Sequence, residues 1–198
     1  LMQLKTERLI LRPFTSGDLP KFAEINADAE VMRYFPAPLT AKETAKMLAV
    51  WADKLARYGY AFAAVETHHD KQLIGMAGLS RLEEGVPIAP CSEIGWRLTP
   101  SAWHKGYATE AARAWLRYGF DTLGLTEIFS YTPKLNLPSQ RVMQRIGMQR
   151  AEDLDFDYPA LPEDDPLRPM VVYRLKQKTQ RIWPSRPAGL PAHRRKRL

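Results

Sequence analysis

Apolar and polar positions change period repeatedly along this 198-residue chain, and each change marks an element. Leu4 to about Phe14 reads as a first strand centred on Leu9-Ile10-Leu11. Ser16 then caps a short helix that runs through Phe22 and Ile25, and the period is lost over Val31 to Pro38, a segment expected to be mobile. Thr40 and Glu43 have the spacing of a capping box, and the helix they open ends near Tyr58-Gly59. Tyr60 to Glu66 and Gln72 to Leu82 read as a hairpin about the polar turn Thr67 to Lys71. A strand from Cys91 to Thr99, broken by Pro100, leads to an alanine-rich helix with Ala108, Ala112, Trp115 and Leu123 along one stripe. A strand from Glu127 to Thr132, a helix from Ser139 to Ile146 closed by Gly147, and strands at Met148 to Asp157 and Met170 to Gln177 complete the pattern. The reading is one α+β domain over residues 1–177, without internal repeats, followed by a tail over 178–198.

The junction Trp103-His104-Lys105-Gly106-Tyr107-Ala108-Thr109 carries the strongest chemical signal. A short glycine-containing turn between strand and helix leaves backbone N–H groups unpaired. With the positive end of the helix dipole they form an anion cradle, to which Lys105 adds charge. No glycine is followed at P-loop spacing by Gly-Lys-Ser/Thr, and the three spaced glycines of a dinucleotide fingerprint are missing. A third solution is the coenzyme A pyrophosphate loop of the GNAT acetyltransferases, R/Q-x-x-G-x-G/A, whose second half Gly106-Tyr107-Ala108 matches.

Further motifs extend that resemblance. Thr6-Glu7-Arg8-Leu9-Ile10-Leu11-Arg12 resembles the T-x-R-L-x-L-R opening of the GNAT branch that holds the ribosomal-protein N-terminal acetyltransferases. In that branch the loop usually reads W-G-K-G-Y-A-T-E-A, so Trp103 is normal there and His104 is the departure. Asn136-Leu137-Pro138-Ser139 and Arg145-Ile146-Gly147-Met148 resemble its N-x-x-S and K-x-G-F elements. The resemblance spans Leu4 to Met148, roughly three quarters of the chain.

The resemblance implies a GNAT fold: a mixed, mostly antiparallel sheet with splayed central strands, flanked by about four helices. It implies acetyl-CoA as cosubstrate. Trp96, Arg97 and Leu98 would pair with the pantetheine arm, the loop from Trp103 to Thr109 would hold the pyrophosphate, and Asn136 and Ser139 would complete the coenzyme site. An N–H near Leu98 would stabilise the thioester oxyanion. Asn136 is equally a helix cap by residue type. Acetyl transfer would be direct, because Cys91, the sole thiol, has no base beside it in sequence. Glu93 is the carboxylate best placed to deprotonate the amine, although a strand position leaves solvent exposure or pairing with an arginine as alternatives. The tyrosine many GNATs use as general acid falls at Met143, and the resemblance assigns its role to Ser139. Tyr34 and Phe35 would line the acceptor pocket, and the acidic stretch Asp153 to Asp165 reads as a second wall or a solvated loop.

Composition narrows the surroundings. The formal net charge is +7, yet eight basic residues and no acid lie between Lys176 and Leu198, leaving 21 basic against 22 acidic residues elsewhere. The basic surplus therefore belongs to the tail, which also holds Pro184, Pro187 and Pro191 and is expected to be disordered, with at most a weak nucleic-acid contact. Four scattered histidines and one cysteine predict no metal site. Trp51, Trp96 and Trp115 read as core. One cysteine, no apolar run of membrane-spanning length and no secretory leader predict a cytoplasmic protein, monomeric or homodimeric. The expected acceptor is a primary amine, either a protein N-terminus or a small molecule. A non-catalytic acyl-CoA-binding domain and an RNA- or ribosome-associated module acting through the tail are the alternatives from other classes.

Overall fold

The computed structural model describes residues 3–177, so the expectations for the basic tail lie outside the described residues. Among them nine strands form one mixed sheet. β1 (Leu4–Lys5) and β2 (Leu9–Arg12) are an antiparallel pair rather than the single long strand expected. Thr6 turns the chain: its backbone N–H donates to the Leu9 carbonyl, and its hydroxyl accepts from the Leu9 N–H. The polar interruption Thr6-Glu7-Arg8 is thus a turn between two strands.

α1 (Leu19–Ala27) follows a 3₁₀ turn over Ser16–Asp18 whose N-cap is Thr15, one residue before the expected Ser16. Asp18 reaches back to the Thr15 N–H and hydroxyl, and both its oxygens accept from Arg12 at 2.8 and 2.9 Å. Arg12 donates also to Glu66, so the last residue of the opening motif ties β2 to the entry of α1. These bonds hold the Asp18 carboxyl below its usual range against the burial that opposes them. The Val31–Pro38 segment is a run of turns, with Val31 and Met32 buried beneath it. Thr40 and Glu43 form the expected capping box of α2 (Ala41–Tyr58), and Gly59 ends the helix in the left-handed conformation at φ 79°.

β3 (Phe62–Thr67) and β4 (Leu73–Leu82) form the anticipated hairpin, and β5 (Cys91–Leu98) pairs with β4 along its whole length. α3 (Tyr107–Asp121) stops short of Leu123, and β6 (Glu127–Pro133) and α4 (Leu137–Arg145) follow. The strand expected over Met148–Asp157 is instead two short ones, β7 (Gln149–Arg150) and β8 (Phe156–Asp157), both paired to β9 (Pro169–Lys176).

Side-chain alternation along the strands divides the core. Leu79, Ile94, Ala112, Trp115 and Ile128 fill the face beneath α3 and α4. Phe22, Ile25, Trp51, Ala64 and Met76 fill the opposite face beneath α1 and α2. Trp115 is wholly buried core, as expected, whereas Trp51 and Trp96 also reach the wall of the central cavity. No helix among the described residues is long and apolar enough to cross a membrane.

Candidate active site

The one parallel pairing in the sheet creates the site. β5 and β6 share a single registered pair, Glu93 with Phe129. The Ser130 hydroxyl donates to the Ile94 carbonyl at 2.9 Å and closes the gap at its narrow end. Beyond this point β5 continues to Leu98 without a registered partner on that side. Ile94 and Leu98 both aim their carbonyls away from β4, toward Ser130 and the Trp103 indole, so alternation directs the Trp96 backbone the same way. Polar main-chain groups therefore face an open gap. A cavity of about 660 Å³ occupies it.

At one end the cavity reaches the N-terminus of α3. Gly106 is its N-cap, at φ 79°, and no side chain caps the first turn. The amides there remain for a ligand, as the anion-cradle reading requires. His104 holds φ 60°, a conformation that favours glycine and that accounts for the glycine usual at this place in the branch. The loop is braced from the opening strands. Arg8 donates to the Lys105 carbonyl at 2.9 Å, lies over the Tyr107 ring and pairs with Glu110 at 2.7 Å, while Thr6 donates to Glu110 at 2.6 Å. These partners hold the Glu110 carboxyl below its usual range, although burial pushes the other way. The opening motif thus acts on the loop by tertiary contact, a role its sequence position does not announce.

On the α4 side, Asn136 is the N-cap, as its residue type suggested. Its Oδ1 accepts from the Ser139 N–H at 3.3 Å, and its Nδ2 donates to Thr132 at 2.8 Å and to the Ser139 hydroxyl at 3.1 Å. Both amide protons are engaged, so a ligand could use only the second lone pair of Oδ1. Ser139 still has its own proton to give. Met143, at the position of the family tyrosine, is buried core.

The other wall belongs to the α1–α2 side. Glu93 and Arg97 point to the same face of β5, four residues apart, with Gly95 between them against Phe62. Burial pushes the Glu93 carboxyl up to about 7; the Lys54 charge opposes the shift, but the Lys54 ammonium bonds Ser80. Glu93 has no hydrogen-bond or ion-pair partner among the described residues, which removes the arginine-paired alternative. Cys91, buried behind it, has its thiol pushed up to about 11 by burial, which suits an inert structural thiol better than a nucleophile.

Gly75 sets the position of this strand. It lies at φ 145°, and a Cβ there would fall on the Arg97 carbonyl oxygen and within 2.8 Å of Leu98 Cα. Only glycine lets β4 approach β5 so closely at the point where the gap opens.

Of the residues singled out from sequence, Glu93, Trp96, Arg97, Leu98, Trp103, His104, Gly106, Tyr107, Ala108, Thr109, Asn136, Ser139, Tyr34 and Phe35 all border the cavity. Lys105 does not; its backbone carbonyl is occupied by Arg8. Arg97, expected among the coenzyme contacts, sends its side chain to the α1–α2 side, onto Asn26 and Phe35. Sequence reasoning missed Arg33, Tyr131 and Tyr158 on the wall, because nothing in their local patterns connects them. The acidic stretch contributes Tyr158 and Leu161 to the wall rather than carboxylates: Asp155 pairs with Arg150, and Asp157 with Arg168.

Comparison with known proteins agrees with this geometry. The family profile described as "Acetyltransferase (GNAT) domain" matches residues 8–149. The uncharacterized N-acetyltransferase YnaD of Bacillus subtilis is 34% identical, over 75% of this chain and 84% of its own length. The FsC-acetyl coenzyme A-N(2)-transacetylase of Aspergillus fumigatus is 29% identical, over 80% and 70% respectively. The acetyltransferase of Agrobacterium tumefaciens str. C58 superposes with a TM-score of 0.73 at 28% identity, covering 89% of this chain and 95% of that one. GNAT enzymes use acetyl-CoA, and the splayed strands, the uncapped helix start and the matched profile converge: the chain belongs to the GNAT family and is an acetyl-CoA-dependent acetyltransferase.

Proposed function

We propose that the protein acetylates a primary amine by direct attack within a ternary complex, with Glu93 as the base. One observation carries this reading. The gap beside β5 meets the uncapped start of α3 at one end and a solitary, high-pKa carboxylate at the other.

Acetyl-CoA supplies the activated acetyl group. The residues present fit it: the first-turn amides of α3 from Gly106 to Thr109, with Trp103 and His104 shaping the turn, suit the pyrophosphate. The Trp96 backbone and the Leu98 N–H, which face the gap, suit an amide-bearing arm lying there as an added strand would, while the Leu98 carbonyl is taken by the Trp103 indole. The Leu98 N–H then points at the charge developing on the acetyl oxygen, where a fixed dipole lowers the barrier most.

An amine must lose its proton before or during attack. A carboxyl near pKa 7 is half ionised at neutral pH and is basic enough to take a proton that an ordinary glutamate would not, directly or through a water. Ser139, oriented by Asn136, is the group to hydrogen-bond the departing thiolate and relay it a proton from solvent, regaining its own as it gives one; a thiol of pKa about 8.5 needs little help. Tyr34 and Phe35 form the acceptor wall. The resemblance leaves a protein N-terminus and a small amine both open as acceptor; an α-amine would shed its proton more readily than a lysine side chain.

The test is steady-state release of CoA thiol against a panel of amines and short peptides with free α-amines. Stimulated release is expected for at least one acceptor, with kcat/KM rising through pH ~7. Glu93→Gln should lose that rising limb and about 10²–10⁴-fold in rate, and Ser139→Ala should lose less. A Glu93→Gln enzyme with wild-type rate and pH profile would sink the assignment of the base.

A further inference from the structure

Arg97 is a half-buried cation without a counter-ion among the described residues. Its Nη1 donates to Asn26 Oδ1 at 2.6 Å, and its guanidinium lies 4.2 Å from the centre of the Phe35 ring. Its Nε is enclosed and has no partner among the described residues. Burial lowers its pKa to about 10, and no neighbouring carboxylate offsets the shift. A guanidinium carries five N–H donors in a planar fork, and one is used here. Burying such a charge is expensive unless it is paired, and an aromatic face compensates only in part.

The surroundings say what would pair it. Arg97 stands on the Glu93 face of β5, on the wall built by Phe35 and the α1–α2 segment, and away from the start of α3. Two backbone repeats put its Cα on the order of 13 Å from that of Glu93, with both side chains leaning into one cavity. The charged lining of that cavity comprises Arg33, Arg97, Arg141 and Arg145 against Glu30 and Glu93. Arg141 and Arg145 lie on α4, so the α1–α2 side carries two cations against two carboxylates, and Arg97 is a cation there with no carboxylate partner among the described residues. An acceptor with an oxyanion some distance from its amine would meet the free edge of a guanidinium at one end and the base at the other.

We propose that Arg97 is a specificity-determining residue that binds a carboxylate of the acceptor, so that the enzyme acts on amino-acid-type amines in preference to uncharged or polycationic ones. This rests on the acetyltransferase reading above and deepens it. The carboxylate engages the guanidinium by charge-assisted hydrogen bonds, and the ion pair supplies the counter-charge that the fold withholds. Asn26 and Phe35 orient the fork: Asn26 is fixed in turn by its own donation to Thr44 at 3.2 Å. An acceptor lacking the carboxylate leaves the half-buried cation unpaired.

The experiment measures CoA-thiol release with matched pairs: α-amino acids against their amides, and ω-amino acids against the corresponding diamines. Acetyl-CoA affinity is followed in parallel by calorimetry. The wild type should favour the carboxylate member by about 10–100-fold in kcat/KM. Arg97→Gln should bring that ratio close to one, and Arg97→Lys should restore part of it. The ratio does not depend on how much of a variant preparation is folded, so a purely structural role for Arg97 would leave it unmoved. A wild-type preference for amides or diamines, or an undiminished ratio in Arg97→Gln, overturns the inference while leaving the acetyltransferase reading intact. Transfer to peptides or other amines but to neither matched set also overturns the inference and leaves the acetyltransferase reading intact, whereas binding of acetyl-CoA with transfer to no amine at all removes both.

Discussion

The two walls of the cavity are built on opposite electrostatic plans. On the α3–α4 side the carboxylate and the side-chain amide are spoken for. Glu110 has Arg8 and Thr6, and Asn136 has Thr132 and Ser139. What is left open there is backbone, the first-turn amides and the free edge of β5, together with the Ser139 hydroxyl and the positive charge of Arg141 and Arg145. On the α1–α2 side the charges themselves are left open, Glu93 with no partner and Arg97 with one neutral amide. A phosphate or a pantetheine arm can be held by fixed dipoles, which cost the empty protein little. Moving a proton or reading an acceptor's charge needs side chains whose own charge is unsatisfied, and that is destabilising until the ligand arrives.

Four changes would break or sharpen that contrast. The largest effect is expected from Gly75→Ala, which injures both walls because β4 and β5 meet at Arg97–Leu98. Forcing a Cβ there should cost about 3 kcal/mol and lower the melting temperature by roughly 6–12 °C in calorimetry.

Glu93→Gln should act in the opposite direction. The folded pKa of Glu93, about 7, lies above the usual carboxyl value of 4.5, so its contribution is full below pH ~4.5 and is lost as pH rises through ~7. Denaturation of the variant should therefore match wild type at pH 4 and be on the order of 2 kcal/mol more stable at pH 8. Absence of that gain would mean that Glu93 is not isolated.

Glu110→Gln supplies the mirror image. Its carboxyl is held below the usual value, so its stabilisation is present above pH ~4.5 and lost as pH falls through the lowered value. The variant should lose about 1 kcal/mol at pH 7, the difference shrinking in acid, and should bind acetyl-CoA more weakly as the loop loosens.

The smallest effect is His104→Gly. Relieving a left-handed histidine should raise stability by about 0.5–1 kcal/mol, read as a melting temperature some 1–4 °C higher. An unchanged or lower value would show that the His104 side chain contributes more than its backbone costs.

Local chemistry made part of this protein legible from its residues alone. The capping box at Thr40 and Glu43, the cap at Asn136, the glycine that opens α3 and the β3–β4 hairpin each depend on groups a few positions apart, so their spacing predicts them. The motifs from Thr6 to Met148 carried the family in the same way. Tertiary structure decided the rest, because the groups involved are distant in the chain. It folded the expected first strand into two, since Thr6 could close a turn. It brought Arg8 across to brace Lys105 and Glu110. It kept the carboxylates of the acidic stretch off the cavity wall, pairing Asp155 and Asp157 with arginines, while Tyr158 and Leu161 face the cavity. Above all, it set the Arg97 side chain on the α1–α2 side, against Asn26 and Phe35. A strand's alternation says that neighbours face opposite ways, but only the packing of β5 between two layers of helices fixes which way each one faces, and with it which charges stay unpaired.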